Sequence, residues 1–177
     1  MNVEGIWSTI KNFDLYSHVS SYDFVLFTET FSDSFPEDLF PDFEIFLSPS
    51  IKLSESIHGR TCGGLAFLVR KALELKVQQV QIEYDNMMVF SVHDNKNSGF
   101  KEVDVFTIVC VYLPPENSPY YMDTEIHNGV TMLENALLDI GNVCDCSKMM
   151  IVGDLNARTG EENGYMSDYS NIHHLDR

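Results

Sequence analysis

KMMIVGDLNARTG, residues 148–160, is the stretch from which the rest of the chain can be read. The apolar run Met149 to Val152 is bounded by turn formers, the pattern of a buried strand. Side chains two apart on a strand share a face. Asp154 and Asn156 are therefore expected to project together at the strand end, with Leu155 turned into the core. A carboxylate beside a neutral amide suits a metal, or an attacking water next to a phosphate oxygen. Gly153 lacks a side chain where a substrate or another backbone comes close. The plainer reading is that Asp and Asn end a strand because both suit turns.

Composition narrows the possibilities. The chain has 177 residues, 44% of them hydrophobic, enough for one domain with a sizeable core. Eleven basic residues against 27 acidic ones leave a formal net charge of -16. Such a surface repels polyanions at long range. Sequence-independent DNA binding needs a basic footprint, and none is present. Nucleic acid would then be bound through a metal and a local groove, or by basic residues outside this chain, or not at all. No apolar segment approaches a membrane span, and no secretory leader is recognisable. Cys62, Cys110, Cys144 and Cys146 form no disulfide framework or zinc spacing. An intracellular location, nuclear or cytoplasmic, is expected.

Going outward along the chain, Asn2-Val3 reads as a strand end and Glu4-Gly5 as a turn. Ile6, Ile10, Phe13 and Tyr16 fall at helical spacing, predicting a helix through about Val19. Asp23 to Glu29 is a strand covered on both faces, and Glu29 at its end either offers carboxylate oxygens to a hard cation or, as isolated strand-end Glu residues more commonly do, simply faces solvent. Phe31 to His58 reads as loops around a short strand, Glu44 to Leu47. Leu65 to Val69 is a strand preceded by Gly63-Gly64, a place for a bulge or a close backbone approach. Val77–Tyr84 and Met87–His93 read as a hairpin turning at Asp85-Asn86. Val103 to Leu113 is a strand stopped by Pro114-Pro115, with Tyr112 near its end. Met122, Ile126, Val130, Leu133, Leu137 and Ile140 form an apolar stripe that predicts a helix over 121–142. His173-His174 reads as exposed tail.

Taken together, NVEGI (2–6), LFTET (26–30), CGGLAFLV (62–69), VYLPP (111–115) and VGDLNARTG (152–160) resemble, in order, the motifs of one superfamily. It is the endonuclease/exonuclease/phosphatase superfamily, with the fold of deoxyribonuclease I. The nearest likeness within it is the apurinic-type endonuclease domain of non-LTR retrotransposons. The resemblance implies an α/β fold, a four-layer α/β/β/α sandwich. It implies that Glu29, helped by Asn2 and Asp154, binds Mg²⁺ (or Mn²⁺). Asp154 would orient or deprotonate the attacking water. Asn156, Tyr112 and Arg158 would contact the phosphate. The implied reaction is metal-dependent hydrolysis of DNA phosphodiester bonds, with a reverse transcriptase on the parent chain.

The likeness breaks at one motif. The superfamily carries a catalytic histidine in Ser-Asp-His, and no such tripeptide occurs here. The closing strands are also missing, so residues 1–177 are expected to be one partial domain lacking roughly its last quarter. Losing one acid/base group costs about 10²–10⁴ in rate. A weak or inactive nuclease is therefore expected. The alternatives are a non-catalytic remnant or interaction module, and a phosphoesterase acting on a small or lipid phosphate.

Overall fold

The computed structural model describes residues 1–12, 14–52, 61–73, 75–94, 106–116, 118–122, 128–144 and 146–156. Within them lie helices α1 (Ile6–Asn12), α2 (Leu15–Val19) and α3 (Gly129–Val143). The strands are β1 (Phe24–Thr28), β2 (Phe43–Lys52), β3 (Thr61–Arg70), β4 (Leu75–Val80), β5 (Met87–Asp94), β6 (Phe106–Tyr112) and β7 (Met149–Asp154). One sheet has the order β1-β3-β2, and the other β4-β5-β6-β7. All pairings are antiparallel except β6 with β7.

The two sheets are stacked on an apolar core. Leu65, Phe67 and Val69 of β3 pack with Phe90 and Val92 of β5 and with Ile108 and Cys110 of β6. The Phe67 and Phe90 rings meet across it with centroids 4.7 Å apart. Each such ring, fully buried, contributes about 1.5–3 kcal/mol. The alternate residues of the first sheet, Val25, Phe27, Ala66 and Leu68, cluster with Ile6, Leu15 and Val19 of α1 and α2. On the second sheet, Val89, Val109 and Val111 face Met132, Ala136 and Ile140 of α3. The result is the expected four-layer α/β/β/α order. Among the described residues no helix is long and apolar enough to cross a membrane.

Several elements differ from the sequence expectation. The first helix is two helices, because Asp14 caps a new one by accepting from the Ser17 N–H at 3.1 Å. β2 is ten residues long, not four. Its Pro49 is tolerated because β2 lies at a sheet margin, where a missing N–H costs no ladder bond. The hairpin is not tight: Val80 pairs with Val89, and residues 81–86 leave the sheet. There the Tyr84 hydroxyl donates to Asp139 of α3 at 2.6 Å. The strand before Pro114 is described from Phe106, so 103–105 lie outside the described residues.

The long helix begins at Gly129, where Asn128 caps it by accepting from Thr131 N–H at 2.8 Å. Met122 belongs instead to a 3-10 turn, and Ile126 lies outside the described residues. The buried face is Met132, Ala136 and Ile140, with Val130 exposed, so the stripe is rotated from the expected one. β7 is not covered on both faces either: Met150 and Ile151 are 53% and 42% exposed. Among the described residues it occupies the margin of its sheet.

Candidate active site

The site forms where β1 of one sheet and β7 of the other end side by side. Asn2 lies against Thr28 in a parallel bridge, and the Val3 N–H donates to the Thr28 carbonyl at 3.0 Å. Glu4 and Gly5 then turn the chain with φ of 44° and 100°. After Thr28, Glu29 adopts a left-handed φ of 57°. Its carbonyl accepts from the Gly5 N–H at 2.8 Å. Gly63 and Gly64 make room for this segment: their carbonyls accept from Phe31 and Thr30 N–H, both at 3.2 Å. A Cβ on Gly64 would stand 2.4 Å from Thr30 Oγ1. The Gly-Gly pair is thus a site of close backbone approach.

Gly153 has the same purpose in the other sheet. A Cβ there would lie 1.7 Å from the carbonyl oxygen of Val111, its register partner on β6. Asp154 follows it, with both oxygens engaged. Oδ1 accepts from Asn156 N–H at 3.0 Å and Oδ2 from the Asn2 side-chain amide at 3.2 Å. Asn156 sits at φ 44° and its side-chain amide donates to the Leu113 carbonyl at 2.7 Å. Asp154 and Asn156 are together, but through a turn and not by strand alternation. Leu155 accordingly points outward, 41% exposed, and not into the core.

Tyr112 is buried in the inter-sheet core. Its phenol is pushed well above the usual range, first by burial and then by a hydrogen bond to Glu29, with the Asp154 charge adding to it. A neutral phenol donating to a carboxylate is the arrangement this favours. Neither Tyr112 nor Glu29 is among the residues that line the open cleft. That cleft, about 950 Å³, is lined by Asn2, Thr28, Glu116, Asp154, Leu155 and Asn156. Arg158, His173 and His174 lie outside the described residues.

The donor set fits a hard cation. Glu29, Asn2 and Asp154 offer oxygens, and Mg²⁺ is commonly held by one or two carboxylates, with water and phosphate completing the shell. Among the described residues no group of three or more His, Cys, Asp or Glu side chains is gathered as a metal cage. Carboxylate and amide oxygens are the donor chemistry of Mg²⁺ and not of a thiolate or imidazole zinc cage, and the Asn2 Oδ1 here accepts from the Glu4 N–H at 3.1 Å.

Sequence reasoning missed Asn86 and Cys62. Asn86, assigned to a turn, is fully buried, and no described residue partners its side-chain amide. It lies against Gly63, where a Cβ would approach its Oδ1 to 2.0 Å. Cys62 is raised by burial and by the nearby Asp85 and Glu29 carboxylates. The Gly-Gly pair was the signal for both, since a neighbour must fill the space the glycines leave.

No protein-family model and no curated protein sequence matches the chain. Solved structures do. The chain is similar to the AP endonuclease LMAP from Leishmania major, with a TM-score of 0.57 and 15% identity over 88% of this chain and 54% of that one. It is also similar to a beta hairpin deletion mutant of beta toxin from Staphylococcus aureus, with a TM-score of 0.51 and 15% identity over 96% of this chain and 70% of that one. The chain spans about half the length of the AP endonuclease. The likeness is one of fold, the two stacked sheets of the deoxyribonuclease I type.

Proposed function

We propose that this chain is the metal-binding and phosphate-binding part of a Mg²⁺-dependent DNA endonuclease of the non-LTR retrotransposon kind, slow in hydrolysis by itself. One observation carries the reading: Asn2 and Asp154, 152 residues apart, are hydrogen-bonded at adjoining strand ends, with Tyr112 close enough to Glu29 and Asp154 for both to raise its phenol after burial. The fold shared with an AP endonuclease supports it.

Glu29 and Asn2 would hold Mg²⁺ (or Mn²⁺), which when bound supplies positive charge against the scissile phosphate. Tyr112, whose phenol is raised first by burial and then by Glu29, would steady the Glu29 carboxylate. Asp154, oriented by Asn156 N–H and the Asn2 amide, accepts a proton from the attacking water. A carboxylate has about four lone-pair positions, so those two bonds leave room for water. The Asn156 amide, with one N–H on Leu113, turns its remaining groups to the phosphate. Positioning of this sort is the main contribution to phosphodiester hydrolysis. Without Ser-Asp-His, protonation of the leaving oxygen lacks its usual donor, hence the slow rate.

The test is calorimetric Mg²⁺ titration together with plasmid nicking. Saturable binding lost in Glu29→Ala, and slow Mg²⁺-dependent nicking lost in Asp154→Asn, are expected. Binding indifferent to Glu29→Ala would favour a non-catalytic remnant, and nicking at ordinary enzyme rates would refute the slow chain. The charge of -16 favours a second reading, a phosphoesterase for small or lipid phosphates. Turnover of a small aryl phosphodiester without plasmid nicking would select it.

A further inference from the structure

Two exposed aromatic side chains stand beside the Asn2–Glu29 segment and serve no core. Trp7 is 45% exposed and is the one tryptophan of the chain. The apolar face of α1 is carried by Ile6, fully buried, and Ile10, packed against the same cluster. Trp7 is outside that face. Its indole N–H is tied to Ser32 Oγ at 3.1 Å, which fixes the ring. Phe31 precedes Ser32 and is 38% exposed. It holds a left-handed φ of 49°, a conformation bulky residues rarely adopt. Burial of the ring does not offset that strain. Its ring lies against Gly5, 3.7 Å from where a Cβ there would stand. Both rings are thus anchored to the turns that shape Asn2 and Glu29.

The charge says what they are for. At -16 the chain lacks the cationic footprint that usually holds nucleic acid. Stacking on a base is an attraction that needs no positive charge, and it requires an unpaired base with a free face. We propose that Trp7 and Phe31 form a stacking platform for an unpaired nucleobase flanking the phosphate held at Asn2, Glu29 and Asp154. This inference rests on the nuclease reading for its substrate. It makes the preferred substrate single-stranded or unpaired DNA, not intact duplex. A membrane surface would be the other natural occupant of exposed aromatics. The hydrogen-bonded indole edge, which presents a fixed face instead of a free tip, favours the base.

Trp7 is its own reporter. The chain, in Mg²⁺, is titrated with a short thymidine oligonucleotide, with an abasic strand of the same length and charge, and with the duplex. Saturable quenching of Trp7 emission by the thymidine strand is expected, with affinity on the order of tenfold weaker for the abasic strand. The duplex should behave like the abasic strand. Phe31→Leu, read by the same emission, and Trp7→Leu, read by oligonucleotide anisotropy, should erase the preference for bases. Equal affinity for thymidine and abasic strands overturns the platform. If Glu29→Ala still weakens both, the nuclease reading survives that loss. A base preference that persists in Glu29→Ala without metal dependence keeps the platform and removes the nuclease reading. A blue shift of Trp7 emission on phosphatidylcholine vesicles, with no quenching by any strand, overturns it in favour of a lipid surface.

Discussion

Asp154 accepts from Asn156 on one oxygen and from Asn2 on the other, so its orientation is set from two directions. Asp154→Asn keeps the volume but removes the charge and one acceptor. Loss of most Mg²⁺-dependent phosphodiester cleavage, about 10²-fold or more, is expected with the thermal midpoint nearly unchanged. Tyr112 differs, because it is buried and its phenol is raised first by burial and then by Glu29. Tyr112→Phe should lower stability by about 1–2 kcal/mol in urea unfolding and weaken Mg²⁺ binding, since Glu29 loses its donor. The side chains of Glu29, Asp154 and Asn156 were legible as polar groups at strand ends. Their partners were not. That Tyr112 serves Glu29 depends on the stacking of two sheets, which no local pattern encodes.

At the scale of elements, β6 and β7 meet where Gly153 faces Val111. Gly153→Ala forces a Cβ to 1.7 Å from a backbone oxygen, at a φ of 151° that favours glycine. The β7 end must shift, and loss of several kcal/mol together with any Mg²⁺ response is expected from calorimetry. β7 itself was readable from MMIV, but its exposure was not. An apolar run resembles a strand covered on both faces whether or not a neighbour covers it. With Met150 and Ile151 exposed on a strand that is marginal among the described residues, self-association is expected, and Ile151→Lys should reduce it in sedimentation velocity. β2 escaped reading for the opposite reason: Ser48, Pro49 and Ser50 look like loop, yet Ser48 and Ser50 pair with Leu65 and Gly63 of β3, which overrides their preference.

For the molecule as a whole, alkaline pH probes the packing. Burial pushes the Tyr112 and Cys110 protons to higher pH and raises Tyr120 to about 12. The folded state therefore holds these protons more tightly than the unfolded chain does. The stability they contribute is complete below the ordinary values, 9.0 for Cys and 10.0 for Tyr, and declines as pH rises beyond them. Urea midpoints should be level near roughly pH 8 and lower near roughly pH 11. The four-layer order was legible through the resemblance, whose five motifs stand in the superfamily's order along the chain. The rotated face of α3 and the divided first helix were not, because apolar residues lie on more than one side of each.

The central claim is that Glu29 and Asp154 face one cation, and paramagnetic Mn²⁺ reads this residue by residue. In ¹H–¹⁵N spectra of the chain, traces of Mn²⁺ are expected to broaden the amides of Asn2, Glu29, Tyr112 and Asp154 together, before those of other acidic residues. Broadening that reaches Glu29 while sparing Asp154, or that spreads evenly over the acidic surface, would contradict the account.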